Sequence, residues 1–550
     1  MSSLNPRVHR RTVLKAMGLG LGSVAVAGPV RAASLLRTGE KLQLARVWAA
    51  TPMQQRLLGS FDDTHNVFED GSIEILLWPG DLARLRATGL RHEITVTDVI
   101  ARDQAARAAA PPRPASLAPQ PGERTDYRRL PDFETDMLSL VQRFPDKAKM
   151  ITLPNASLEG RTVRGIEIGT DVAKRDGRPV FYMDGAHHAR EWPAAEMPIM
   201  WAFDLLERYG TDTRITALMN TARFVVVPVV NPDGYHHSRE SLLSHEALEL
   251  PLSIAPPGGL EGYWRKNRRS FTGATIPVLQ KNPDAYGIDP NRNYPHNWGG
   301  PGAANNQYDQ SSRGAAAASE PETRNVGHVL RSYQVTALES SHTAGDLVLR
   351  PWGYTSDDPP DDELLKGLGD AMGAITGYTS QKSIDLYITT GTATDYAYGS
   401  FGTLAYCFEH SGTGFHPAYL SSVPQMYAKC RNAFLLLAEA AANPEYHGVV
   451  TGRVEDASGA PVQAEINLYK SFETPLWSSG SYPEVISTTM VSEPDGTFEY
   501  HTNPSTRPHI AFEGGSEPFV LTATAASGQK ALDIVVRRGD RVDVGTLQVS

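Results

Sequence analysis

Hydrophobic and polar positions change their spacing along this chain, and the changes divide it into regions. Residues 72–77 (Ser-Ile-Glu-Ile-Leu-Leu) predict a strand. Residues 81–88, with Leu82 and Leu85 three apart, predict a short helix ended by Gly89, and 93–96 (Glu-Ile-Thr-Val) predict a second strand. These make a small α+β unit, placed at 42–103. From Gln104 to Arg124 the chain turns Ala-, Pro- and Arg-rich, with Pro111, Pro112, Pro114, Pro119 and Pro121 breaking any helix. This predicts a linker over 104–124 whose exposed Arg107, Arg113 and Arg124 are candidate cutting sites. From about Tyr127 to Glu445, near-continuous apolar runs (Val180 to Met183, Phe224 to Val230) alternate with helical patterns, such as Met197, Met200, Trp201, Leu205 and Leu206 after Trp192. Strands buried on both faces and separated by helices predict an α/β sheet covered on both sides. After Pro444, short alternating segments (448–454, 464–469, 497–500, 532–536, 542–549) are cut by Gly, Pro, Asp and Ser turns. That pattern predicts an all-β sandwich over 446–550.

At 550 residues the chain is long enough for several domains, and 41% hydrophobic with 21% charged residues suits soluble cores. The net charge of −10 argues against a general nucleic-acid binder. Cys407 and Cys430 are the only cysteines, which excludes a disulfide-dense scaffold and an all-thiolate zinc site. Any metal site must then draw on His, Asp and Glu, and whether the two cysteines pair is open at this point. Arg10-Arg11-Thr12-Val13-Leu14-Lys15 precedes a mild apolar run, Ala16 to Ala27, and small residues through Ala33. This resembles a bacterial twin-arginine export signal over 1–33, and the run falls far short of the ~20 apolar residues that span a bilayer. The expectation is a periplasmic or secreted protein with no membrane span after signal removal.

The stretch Asp184-Gly-Ala-His-His-Ala-Arg-Glu-Trp192 follows directly on a predicted buried strand. His188 and Glu191, three apart on a tight turn or first helical turn, can share a metal ion. The spacing alone is weak, because His237 and Glu240 repeat it in a polar stretch with no strand before it. His342 follows the apolar segment Val335 to Leu338 and so falls near the carboxyl end of a strand, where α/β sheets place ligands. Glu409 ends the apolar segment Leu404 to Phe408, and a carboxylate there is costly to bury unless it has a partner.

These residues belong to a longer succession: Asn231-Pro-Asp-Gly-Tyr235, Tyr263-Trp-Arg-Lys-Asn267, Asp289-Pro-Asn-Arg-Asn293, Ser319-Glu-Pro-Glu322, Ser341-His-Thr343 with Arg350-Pro-Trp-Gly-Tyr354 behind it, and Phe408-Glu409. In that order they resemble the zinc carboxypeptidases of the carboxypeptidase A and T type, over about residues 127–440, with the catalytic domain at 125–445. The resemblance implies an α/β fold with a mixed eight-stranded sheet flanked by helices, and one Zn2+ per chain held by His188, Glu191 and His342. Two imidazoles and one carboxylate leave the fourth tetrahedral position to water. It also implies that Asp289 orients His188, that Glu409 is the general base, and that Arg265 stabilises the carbonyl oxygen as it gains charge. Asn291 and Arg292 match the clamp for the substrate's terminal carboxylate. Tyr387 matches the tyrosine that closes over the substrate, and Arg190 a further substrate-contacting arginine. Thr394, flanked by Thr392, matches the base of the specificity pocket, with Leu349 and Gly353 on its wall. No acid stands at those positions, which implies release of a neutral or apolar C-terminal residue unless Asp385 or Asp346 reaches the pocket. Ala344 departs from the aromatic residue many relatives carry two after the third ligand, and 236–262 reads as a long polar loop at the cleft rim.

Residues 42–103 resemble the family's pro-region, which covers the cleft until an activating protease cuts the linker. The C-terminal stretch 449–456, with Gly459, Pro461 and Asp495-Gly-Thr-Phe498, resembles the transthyretin-like β-sandwich domains appended to some carboxypeptidases. The expected partners are peptide or protein C-termini. A cell-wall muropeptide peptidase with the same zinc chemistry and a non-catalytic peptide-binding protein are the alternative readings.

Overall fold

The computed structural model describes residues 41–58, 61–68, 70–240, 260–270, 287–307, 309–412, 414–505 and 517–550. The expected export signal, 1–33, lies outside the described residues.

Eight strands form the central sheet in the order Thr379–Lys382, Leu347–Arg350, Leu404–His410, Val335–Thr343, Val180–Gly185, Arg223–Val227, Arg164–Ile168 and Ala148–Thr152. The four strands from Leu404–His410 to Arg223–Val227 pair in parallel, and antiparallel pairings join them to the strands on either side, giving the mixed sheet that the family resemblance implied. Every residue of Val180–Gly185, Val335–Thr343 and Leu404–His410 is buried. Burial on both faces explains why these strands read as apolar runs rather than alternating ones. The helices Trp192–Arg208 and Tyr419–Ala442 pack against them. Pro193 in the first turn of the former costs no hydrogen bond, since that N–H has no helical acceptor. Parallel pairing brings the carboxyl ends of three strands, at Gly185, Thr343 and His410, to one edge of the sheet.

The N-terminal unit is a four-stranded antiparallel sheet in the order Asp62–Val67, Ser72–Leu77, Gln43–Trp48 and Arg91–Val96. The strand at 72–77 and the helix at 81–88 fall where the periodicity put them. The linker does not begin at Gln104, because a helix runs Val99–Ala108. Asp98 caps it by accepting from the Ala101 N–H at 3.0 Å, its alanines favour helix, and the first proline comes only at Pro111. Nor are the linker arginines exposed. Arg107 donates to the His416 carbonyl at 2.7 Å, Arg113 to the Leu117 and Ala118 carbonyls and to Glu123, and Arg124 to Asp136 at 2.7 Å.

The C-terminal region holds a three-stranded sheet (Thr497–Thr502, Gly448–Asp456, Arg541–Val549) and a four-stranded one (Ser481–Val491, Glu465–Pro475, Phe519–Ala525, Gly528–Ile534). Buried and more exposed residues alternate along Glu465–Pro475, the mark of a sheet with one dry face. The strands Ser481–Val491 and Phe519–Ala525 were not anticipated from the sequence. The expected long loop over 236–262 is helical to Glu240 and resumes as a short 3-10 turn at Leu260–Tyr263, while 241–259 lies outside the described residues. Cys407 and Cys430 are both buried free thiols and form no disulfide. No helix among the described residues is long and apolar enough to cross a membrane.

Candidate metal centre and active site

The strand Val180–Gly185 delivers the first two metal-ligand candidates. Gly185 is required there, because a Cβ would stand 2.1 Å from the Ala194 carbonyl oxygen of the following helix. Ala186 then takes a positive φ of 52°, and the turn ends with Glu191 as the residue before the helix Trp192–Arg208. This swing brings His188 and Glu191 together and points them at the next strand. His188 Nδ1 lies 2.7 Å from Glu191 Oε1, His342 Nδ1 lies 3.0 Å from Glu191 Oε2, and the two Nδ1 atoms are 3.2 Å apart. All three residues are at most 1% exposed.

Ligands at roughly 2.0–2.1 Å from a tetrahedral zinc stand about 3.3 Å from one another. The separations need to widen by between about 0.1 and about 0.6 Å, within reach of small side-chain rotations, so the two imidazoles and one carboxylate fit a single zinc ion. Burial alone would raise the Glu191 pKa, but His188 and His342 outweigh it and hold the carboxylate well below its usual range.

Asp289 lies behind this group. Its Oδ1 is 3.1 Å from His188 Nε2 and accepts the Asn291 N–H at 2.8 Å, while its Oδ2 accepts from Arg265 at 2.9 and 3.2 Å. Burial opposes ionisation of Asp289, and Arg265 and then His188 overcome it and keep the carboxyl well below its ordinary value. Arg265 is thereby fixed with its NH1 3.9 Å from Glu191 Oε1. Glu409 sits directly across from His342 in the parallel pairing of their strands. Ligand-type atoms of His342, Cys407 and Glu409 lie within 4.8 Å of one another, and the Cys407 thiol donates to Glu409 at 3.8 Å.

Of the expected substrate-binding residues, Asn291 stands beside His342 and Tyr387 beside Cys407. Asn291 accepts the Ala393 N–H at 2.8 Å through its side-chain oxygen, which leaves its NH2 3.5 Å from His342 Nε2. Arg292 is tethered at 2.9 Å to the Gly302 and Asn291 carbonyls. Thr394 lies in the first turn of the helix Ala393–Phe401, capped by Thr392, whose hydroxyl is 3.5 Å from that of Thr394. Tyr387 is half-buried against the cluster of Leu349, Leu386 and Cys407. Asp385 and Asp346 are engaged elsewhere, accepting the N–H groups of Lys382 and Gly412. Asp395, one residue beyond Thr394, is pushed up to about 7 by burial and accepts the Gly353 N–H.

Arg190, matched by the resemblance to a substrate-contacting arginine, meets the N-terminal unit here. It is fully buried, in a two-pronged pair with Asp62 of the N-terminal unit at 2.5 and 2.9 Å, with its guanidinium 4.2 Å from the Phe415 ring. The Trp78 indole N–H also donates to Asp62 at 2.9 Å. Tyr263 and Phe415 join Leu42, Leu44, Leu76, Trp78 and Val99 in one apolar cluster around this pair. Sequence reasoning missed Asp62, which no local pattern marks. It also missed Cys407, which the two-residue alternation of its strand places on the Glu409 face.

Fold and donor set together define a mononuclear zinc protein. Residues 134–434 match the family model described as zinc carboxypeptidase, and the chain belongs to that family. It is 29% identical over 300 residues to carboxypeptidase A2 of Mus musculus, covering 53% of this chain and 64% of that protein. It is also 29% identical over 300 residues to carboxypeptidase B of Astacus astacus, covering 53% and 88% respectively. The chain thus spans somewhat less than two thirds of the mouse protein's length. In fold it resembles the crystal structure of carboxypeptidase A from Helicoverpa armigera, with a TM-score of 0.57 at 20% identity, covering 74% of this chain and 98% of that one.

Proposed function

We propose that this protein is a zinc-dependent carboxypeptidase that releases single residues from peptide C-termini, held inactive by its N-terminal unit. The observation that carries the reading is the convergence of His188, Glu191 and His342 with Glu409 on the adjacent strand. Zinc bound by the three would supply Lewis acidity and lower the pKa of a coordinated water towards ~7. Glu409 takes the proton of the attacking water and passes it to the leaving amine, a role suited to a carboxylate fixed on a buried strand. Arg265, locked by Asp289, donates to the carbonyl oxygen as it gains negative charge. Asn291 and Arg292 hold the terminal carboxylate, which restricts cleavage to the last peptide bond.

The specificity pocket is read at Thr394, Thr392, Leu349 and Gly353, and with no acid at those positions a neutral or apolar residue is the preferred one to leave. The relatives' names include both carboxypeptidase A and carboxypeptidase B, so this preference rests on the residues here. The N-terminal unit is a pro-segment that occupies Arg190 through Asp62, and the sandwich is a transthyretin-like module. The basic leader fits export by the twin-arginine route.

The test is an assay of the zinc-loaded chain, before and after limited proteolysis in the linker. Its substrates are peptides ending in Phe, Leu, Lys or Arg, their amidated counterparts, and muropeptides. Chelator-sensitive release of Phe or Leu from free-carboxylate peptides alone is the expected result. Equal cleavage of amidated ends defeats the carboxypeptidase reading, faster Lys release defeats the pocket assignment, and turnover of muropeptides alone moves the substrate to the cell wall.

A further inference from the structure

The strands Glu465–Pro475 and Ser481–Val491 form a long hairpin, in register from Glu465↔Val491 to Pro475↔Ser481. Its tip leaves the sandwich and docks on the loop that carries Asn291 and Arg292. The Asn297 N–H donates to the Pro475 carbonyl at 2.9 Å, and the Trp477 N–H to the Trp298 carbonyl at 3.1 Å. The Trp477 indole then lies over the seam between two loops of the site, 291–302 and 387–394.

That seam is drawn unusually tight. A Cβ on Gly300 would stand 2.6 Å from Thr390 Cγ2 and 2.6 Å from Trp477 Cδ2, and one on Gly302 would stand 1.9 Å from the Ile388 carbonyl oxygen. Across it the Tyr294 N–H donates to the Gly391 carbonyl at 3.0 Å, and the Thr390 hydroxyl to the Pro301 carbonyl at 3.0 Å. One loop carries the carboxylate clamp and the other carries Tyr387 and Thr394.

Lower on the same hairpin, Glu484 is 1% exposed. It accepts from the Tyr396 hydroxyl at 2.5 Å and from Arg331 at 3.0 Å. Tyr396 belongs to the helix that begins at Ala393 and lies 5.5 Å from the Tyr294 ring, whose hydroxyl is 2.6 Å from His187 Nε2. His187 in turn stacks on His342 at 5.3 Å. A buried carboxylate paired at this depth holds its partners in one geometry, since breaking the pair strands a charge.

From these contacts we infer that the C-terminal hairpin is a brace for substrate recognition, with Trp477 and Glu484 as positioning residues. Trp477 keeps the two substrate loops in register, and Glu484 fixes the helix that carries Thr394. Neither touches the reacting atoms. This inference rests on the carboxypeptidase reading, because it concerns the clamp for a terminal carboxylate.

The experiment measures kcat and KM separately for a free-carboxylate peptide on the linker-cut, zinc-loaded protein, with 3-phenylpropanoate as a one-carboxylate competitor. Trp477→Ala is expected to raise both KM and the competitor's inhibition constant 3- to 10-fold while kcat stays within twofold, and Trp477→Phe to recover most of the loss. Glu484→Gln, where it folds, is expected to move KM in the same direction. The brace is refuted if Trp477→Ala leaves KM and the inhibition constant within twofold, or if kcat falls with the melting temperature while KM is unchanged. Absence of cleavage by the unsubstituted protein removes the carboxypeptidase reading and the brace with it, whereas an active parent with an indifferent Trp477→Ala removes the brace alone.

Discussion

Two flanking units reach the zinc-ligand side of the central sheet and hold it by different chemistry. The N-terminal unit offers one buried carboxylate, Asp62, to an arginine next in sequence to Glu191. The C-terminal hairpin offers backbone hydrogen bonds, an indole and a carboxylate to residues farther from the metal. On the proposed reading, the first contact takes up a group that substrate would use, while the second shapes groups that substrate meets without occupying any of them. A contact that competes with substrate must come away for activity, and one that supports the binding wall must stay.

The largest expected effect calibrates this contrast, because it depends on neither flank. Glu409→Gln in the linker-cut protein should lower kcat by ~10²–10⁴ while zinc content measured by atomic absorption stays at one per chain. A loss under tenfold would take the proton-transfer role away from Glu409. Next in size is Asp62→Asn, which leaves Arg190 buried without its carboxylate at a cost of about 3–5 kcal/mol to the N-terminal contact. Activity of the uncut chain should rise tenfold or more and approach that of the cut form. If uncut activity does not move, the N-terminal unit does not inhibit through this pair. The Trp477→Ala effect on KM comes third, and its direction is opposite, since loosening this flank weakens binding.

The smallest effect belongs to the catalytic unit itself. Glu322 is pushed up to about 8, first by burial and then by neighbouring Glu320, and both share the Asn267 side-chain NH2 at 3.1 and 2.7 Å. Its folded pKa lies above its unfolded one, so its contribution to stability is complete below about pH 4.5 and is lost as pH rises through about 8. Melting temperature should therefore fall as pH rises from about 5 to about 8, and less steeply in Glu322→Gln. Parallel melting curves for the two proteins would show that Glu322 ionises without consequence.

Much of the centre was legible in the sequence because its signals are local. His188–Glu191 and His237–Glu240 have the same spacing, and only the first follows a buried strand that ends at a glycine and turns. The second lies on the helix Pro232–Glu240, where His237 meets the Trp264 ring and His236 pairs with Glu240 at 3.4 Å. What preceded the motif separated the two, and the structure agrees. Glu409 was legible as a charge at the end of an apolar strand. Asp62, Trp477 and Glu484 were not, because each acts on a segment far away in sequence, 128 residues for Asp62 and Arg190. No periodicity encodes such a pairing. The helix Val99–Ala108 was missed for the opposite reason: the prolines beyond it were allowed to outweigh its own alanines.

The linker arginines bear on timing. Arg107, Arg113 and Arg124 are each engaged by carbonyls or carboxylates, so under the proposed activation by linker cleavage a protease that reads basic residues would reach them only when the linker springs loose from the body of the protein. When opening is brief and rare, the rate of cutting follows the population of open chains. The delay before activity would then be written into the linker as a clock, set by temperature and salt and advanced by any substitution that frees one arginine.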